Sequence, residues 1–266
     1  MRFTVVKKFI KVWLLVTKMA AQTQLTTNLG GYIFIIGKIV RFLLYFLFLY
    51  SVVTASETLL IFTQEQVIVF FLVFNFVDIV TQFLFRGVYV FRWRVVSGDF
   101  DLDLVKPLPS FFRPLFAWTD ILDFITLIPL TSYGIYYLLT SSLVVAWWEV
   151  GLFFLLFINA LLIAFAIHLF ISAIGVMTTE IDHLVWIWRD FFSLARFPTD
   201  IYSSGIRALL TFVIPIVIAV TVPAKILMGL TTWPWLVFSF IMGISFTWSA
   251  LKFWRFALTR YSSASS

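Results

Sequence analysis

The chain contains no cysteine, which excludes disulfides and thiolate metal sites. It has only two histidines, His168 and His183, and neither stands at a carboxylate–histidine or metal-ligand spacing. A membrane enzyme would need convergent polar groups at one depth, and no such set is visible. Charged residues make up just 12% of the 266. No Gly-x-x-x-x-Gly-Lys-[Ser/Thr] run is present, so nucleotide phosphate cannot be cradled by that route. Nor is there a convincing internal repeat of the kind that many ion-coupled transporters are built from.

Apolar residues fill the space that charge leaves, at 62% of the chain with a mean hydropathy of +1.04. Such a composition is too apolar for a soluble domain of this length. Runs of about 20 apolar residues cross a bilayer as helices, and six are predicted, near 32–54, 67–89, 115–139, 145–178, 208–223 and 235–256. Basic residues crowd the amino terminus (Arg2, Lys7, Lys8, Lys11, Lys18), the second connection (Arg92, Arg94, Lys106, Arg113), the fourth (Arg189, Arg196, Arg207) and the tail (Lys252, Arg255, Arg260). Lys225 alone is left to an outer loop, beside Glu57 and Glu65. The positive-inside rule then puts both termini in the cytoplasm. A net charge of +6 and a pI near 9.6 read as orientation and lipid-headgroup contact rather than nucleic-acid binding. The expected fold is one all-α transmembrane domain, 1–266.

Residues 1–30 are predicted to be an amphipathic helix lying in the membrane interface, with Lys7, Lys11 and Lys18 on one face and Phe9, Val12 and Trp13 among the apolar remainder. Gly30 and Gly31 let the chain turn into span one. Within the spans, Asn75, Asp78 and Gln82 form one polar stripe, which must face protein or a water-filled cavity. A pathway lining, a seam between two permeases and a bond inside the bundle all fit it. Asp120 and Asp123 are expected to pair with Lys38 or Arg41, His168 to bond within the bundle, Glu149 to be solvated, and Pro129 and Pro215 to kink their spans.

The cytoplasmic loop 92–113 is the most patterned polar stretch. Gly98 precedes Asp99, Asp101 and Asp103, interleaved with Phe100, Leu102 and Leu104, and Lys106-Pro107-Leu108-Pro109 stops any helix. It suits either docking to a cytoplasmic partner or packing on its own bundle. Segment 180–205 alternates aromatic and charged residues and is predicted to be a cytoplasmic extension of span four.

Three motifs in order carry a resemblance. The run from Gly98 through Leu108 is similar to the Gly-x-Leu-Asp-x-x-Leu-x-Arg-Pro-Leu stretch of permease subunits of type-2 ATP-binding-cassette (ABC) exporters, in the six-span branch without a fused ATPase. Arg196-Phe-Pro-Thr-Asp-Ile-Tyr202, with Arg207, Pro215 and Pro223 following, resembles that family's Arg-Tyr-Pro-x-x-Ile-Tyr and what succeeds it. The ending Arg260-Tyr261-Ser262-Ser263 is similar to its Tyr-x-Ser-Ala-Ser tail. Lys106 and Phe197 depart from the usual arginine and tyrosine, and Lys106 loses a two-pronged donor.

The resemblance implies a transport subunit rather than an enzyme, in a prokaryotic plasma (inner) membrane. Two permeases, identical or paralogous, would line a pathway. Two cytoplasmic ATPase subunits carrying ATP and Mg would dock below, so no cofactor is expected in this chain. Gly98, Asp99, Phe100, Asp101, Leu102, Asp103, Leu104, Lys106 and Pro107 would form the coupling helix, its aspartates facing the ATPase, with the amino-terminal helix as a second contact. The cargo is expected to be hydrophobic or amphipathic and to move outward. An ion-coupled transporter or a membrane enzyme is the competing reading.

Overall fold

A computed structural model describes residues 2–26, 28–55, 62–178 and 181–262. Glu57, the first residue of segment 180–205 and Ser263 lie outside them. Helix α1 (Arg2–Thr26) precedes α2 (Asn28–Ala55), α3 (Gln64–Phe85) and α4 (Val88–Val96). Two short helices follow, α5 (Asp99–Leu104) and α6 (Phe112–Phe116), then α7 (Ile121–Thr140) and α8 (Trp147–Thr178). The chain continues through α9 (Asp182–Ser193), α10 (Ser204–Ala208), α11 (Val222–Leu227) and α12 (Trp233–Arg260). No strand occurs among the described residues.

Local chemistry marks several boundaries. Thr63 and Gln66 close a reciprocal capping box at the start of α3. Asp120 caps α7 by accepting from the backbone of Leu122 and Asp123. Glu149, expected to be solvated, is instead buried and accepts from the Ala146 N–H at 2.8 Å, tying down the start of α8. Between α3 and α4 the Gly87 N–H donates to the Leu115 carbonyl at 3.1 Å. A Cβ there would sit 2.7 Å from that carbonyl group, so glycine lets α6 press against the break. α7 runs through Pro129 without interruption.

From α2 to α8 the long helices alternate in direction. Tyr45 meets Phe71 of α3, and Lys38 meets Asp123 of α7, whose neighbour Phe124 packs on Phe83 of α3, so α2 runs antiparallel to α3. α7 does the same, with Phe83 on Phe124 and Glu65 on Ser142. α8 runs parallel to α3, pairing Phe76 with Phe157 and Phe85 with Phe165. α12 runs parallel to α8, from Asn159–Ser239 to Phe170–Phe253. Buried residues of α3, α8 and α12 meet in one core that includes Phe70, Leu156, Ile163 and Trp254.

Between α8 and α12 the structure departs from the expected span at 208–223. That region is a bent pair, Ser204–Val213 and Val217–Leu227, meeting at 84° around Pro215. Segment 180–205 does not project as an extension of span four but turns back along α3. Asp182 meets Arg92, Trp186 meets Tyr89, Arg189 meets Asp78 and Phe192 stacks on Phe74. This succession is antiparallel to α3 and carries the chain from the α5 end towards the start of α12. Its aromatic face fills the groove beside α3, and Asp78 supplies a carboxylate for the arginine that the groove must accept.

Candidate functional site

One end of the bundle is built from α4, α5 and α6. Gly98 stands at φ 78°, the left-handed region that glycine tolerates, and turns the chain sharply from α4 into α5. Phe100 is fully buried, edge-on to Phe91 at 5.1 Å and to Tyr261 at 5.3 Å, with Trp254 at 6.2 Å. Trp254 in turn donates its indole N–H to the Ser110 hydroxyl at 2.8 Å. One ring thus keys α5 to α4 and to the far end of α12.

The three aspartates separate in role. Asp103 does not face outward: its carboxylate is buried and held by Arg94 at 2.7 Å, Lys106 at 2.9 Å and Arg113 at 3.7 Å. Asp99 is exposed, and Asp101 lies half-buried beside the Tyr261 hydroxyl. Burial and that neighbouring carboxylate push the Tyr261 phenol up to about 12. The outward rim is apolar, with Leu102 and Val105 61% and 81% exposed and Leu104 and Pro107 beside them.

α1 seats on this same end. Phe9 meets Phe112 and Phe116 edge-on, Trp13 meets Phe83, and Gln24 bridges the Thr119 carbonyl and the Ile121 N–H. Lys7, Lys11 and Lys18 are exposed, but they share the outer surface with Ile10, Leu14 and Leu15 rather than holding a face alone. Lysines rising from an apolar surface suit an interface in which ammonium groups reach headgroups past buried stems. Beneath it, Asp123 pairs with Lys38, and Arg86 reaches Asp120 at 3.4 Å.

Asn75, Asp78 and Gln82 are all buried within the chain. Asn75 donates to the Phe71 carbonyl at 2.7 Å, Gln82 accepts from Tyr89 at 3.1 Å, and Asp78 accepts from Arg189 at 2.6 Å. Sequence reasoning missed Arg189 because the cation lies 111 positions away; the signal was the need of a membrane-embedded carboxylate for a cation. His168 bonds the Ala164 carbonyl of its own helix at 2.7 Å and packs between Phe85 and Trp188.

The family-like residues gather towards the other end. The Arg196 carbonyl accepts from the Tyr45 hydroxyl at 2.6 Å, and its guanidinium lies over the Tyr45 ring. Pro198 stops the turn after α9, and Tyr202 donates back to the Leu194 carbonyl at 2.8 Å. Arg207 reaches the Asp200 carbonyl at 3.4 Å, while Lys225 pairs with the Asp200 carboxylate at 2.8 Å. Arg207 and Lys225, expected on opposite sides of the membrane, therefore share one carboxyl residue. Pro215 marks the bend, and Pro223 is buried at the start of α11. Two apolar clefts of about 480 and 470 Å³ flank α7, the first lined by Phe42, Phe46 and Phe71 and the second by Phe76, Phe153 and Leu227.

No curated protein and no solved structure matches the chain. The profile of the family described as ABC-2 family transporter protein matches residues 35–265. That match takes in the four helices long and apolar enough to cross a membrane (α3 with α4, α7, α8 and α12), most of α2, the α5 end and the bent pair. The chain belongs to the ABC-2 transporter family and is a multi-pass membrane permease of the ABC type.

Proposed function

We propose that this chain is the membrane subunit of an exporter, working as a pair of permeases on two cytoplasmic ABC ATPase subunits that bind ATP and Mg. The observation that carries the reading is α5. Its exposed rim of Leu102 and Val105 beside Asp99 is unsuited to water, and its buried Phe100 ties it to α4 and α12. A push from below on that rim would pass into two spans as one rigid unit. The amino-terminal helix, seated beside it on α6, would be a second contact.

In this reading the fifth crossing is made by α9 and the turns up to Tyr202, and the bent pair is a hairpin re-entering from outside. Lys7, Lys11, Arg94, Lys106 and Arg113 collect at the α5 end, which supports a cytoplasmic side there with both termini on it; the membrane is then the prokaryotic plasma membrane that the family resemblance implies. The apolar clefts suit acyl chains better than a polar solute, which favours an amphipathic cargo.

The test is co-purification. Charge reversal at Asp99 and Asp101 together with Leu102→Ala should release the ATPase while the permease stays in the membrane. An intact, fully stimulated complex refutes docking at α5. Mass measurement of the solubilised complex should give two permeases per two ATPases; a single permease refutes the pairing. Accumulation of an amphipathic dye inside inverted vesicles on ATP addition tests the direction.

A further inference from the structure

The mid-bundle charges do not balance. Arg41 lies within electrostatic reach of Arg189, Arg196 and Asp78, and Arg189 has a second carboxylate, Asp190, nearby, so three arginines face two aspartates. Arg189 takes Asp78. Arg41 stands 13 residues into the 28-residue α2, half-way along a helix whose neighbouring Val40, Leu43 and Leu44 are exposed, as lipid-facing residues are. Arg196 lies over Tyr45, one turn further along the same face of α2, and Tyr45 also touches Phe71 and Phe74 of α3. Neither Arg41 nor Arg196 makes a hydrogen bond or ion pair through its guanidinium with a described residue. Unpaired cations at membrane depth are costly, and such residues mark ligand pathways.

We propose that Arg41 and Arg196 bind the phosphate-type head group of an anionic amphiphile, which enters sideways from the lipid between α2 and segment 189–197. Two guanidinium forks offer more donors than one carboxylate can accept, whereas a tetrahedral oxyanion has acceptors for both. The apolar part has a place alongside. Phe71 touches Tyr45 at 5.3 Å and Phe46 at 5.6 Å, so a single ring links the tyrosine beneath Arg196 to the cleft of about 480 Å³ on the adjoining face of α2. This inference deepens the proposed function by naming the cargo's charge, and it rests on that reading only for the membrane around α2.

The permease–ATPase complex, purified in detergent, is incubated with radiolabelled phosphatidylglycerol. The wild-type protein should retain it saturably, in preference to phosphatidylcholine. Inorganic phosphate should fail to displace it, which separates a lipid head group from a free ion. Arg41→Gln with Arg196→Gln should weaken retention at least about tenfold, as the loss of charge-assisted contacts requires, while lysine at both positions keeps part of it. Neither guanidinium makes a hydrogen bond or ion pair with a described residue, so the Tm of the glutamine variant should fall by no more than the Arg196 stack on Tyr45 contributes, and its ATPase should still co-purify. ATP-driven movement of the lipid would mark it as cargo and static retention as a resident lipid, and both support the site.

Equal retention of phosphatidylcholine, unchanged retention in the double variant, or a larger fall in Tm without loss of retention each overturns the proposal. So does displacement by phosphate alone. Asp190 is exposed on α9; if Asp190→Asn separates paired permeases and no lipid is retained, the arginines answer a second copy of the chain and the proposal falls.

Discussion

Replacing Asp103 by asparagine separates a structural carboxylate from a docking one. The side chain keeps its shape and one acceptor but loses the charge that faces Arg94, Lys106 and Arg113. A hydrogen bond to a charged partner contributes about 1.5–3 kcal/mol when buried. The carboxylate is 1% exposed, but the three cations are 25%, 40% and 29% exposed, and water screens their share. A net loss of about 2 kcal/mol in the local stability of α5 follows, which is about a 30-fold rise in its opening equilibrium. Hydrogen exchange of the 97–106 backbone in the purified permease reads this directly. Asp99→Asn serves as the control, since Asp99 is exposed and contributes at most about 1 kcal/mol through the helix dipole. ATPase binding should fall with Asp99 and Asp101, and local protection with Asp103. Unchanged protection in Asp103→Asn, or equal losses in the two variants, would refute the division of labour.

Phe100→Ala should cost about 3–5 kcal/mol and uncouple ATP hydrolysis from transport more than it weakens ATPase binding; equal losses of both would contradict the key role of the ring. Asp78→Leu leaves Arg189 buried without its partner and should lower stability by about 3–5 kcal/mol. Adding Arg189→Leu should recover much of that in a thermal melt, and normal assembly with disturbed transport in Asp78→Asn would instead favour a pathway lining. Gly87→Ala sets a Cβ 2.7 Å from the Leu115 carbonyl group and should lower Tm through a loss of about 1–3 kcal/mol. The Tyr261 phenol is held protonated by the fold up to about 12, whereas an unfolded tyrosine ionises near 10. The fold therefore binds this proton more tightly, and the seating of the tail should be present below pH 10 and weaken as pH rises towards 12. Phenolate absorbance follows it, and Tyr261→Phe should remove the dependence.

The helical class, the apolar helices α3, α7, α8 and α12 and the Gly98 turn were legible because each rests on a local signal: a long apolar run, or glycine before alternating residues. The run expected as span one is helical as α2. The bend in the fifth run was not legible, because residues 208–223 are apolar enough to cross and hydropathy does not register the 84° turn around Pro215. Segment 180–205 looked cytoplasmic because it holds Asp182, Arg189, Asp190 and Arg196, yet Asp78 of α3 and Tyr45 of α2 receive two of these. Arg207 and Lys225, put on opposite sides by the positive-inside reading, meet at Asp200. Within the candidate site the aspartate pattern was visible but its sorting was not. Which of three alternating carboxylates turns inward depends on where Arg94 and Arg113 lie, and that is decided by the break at Gly87.

Phe100 has a consequence for the order in which the molecule can be finished. Its pocket is closed by Trp254 and Tyr261, which are synthesised long after α5 has left the ribosome. Until the last pass has inserted and its end has come round, α5 has an aromatic side chain with no cover and a carboxylate cluster on an unanchored helix. If α5 is the proposed seat of an ATPase, that seat is therefore assembled only when the end of α12 and Tyr261 are in place. A permease caught before that point would present no firm seat, so the engine would engage only one in which α12 has already packed.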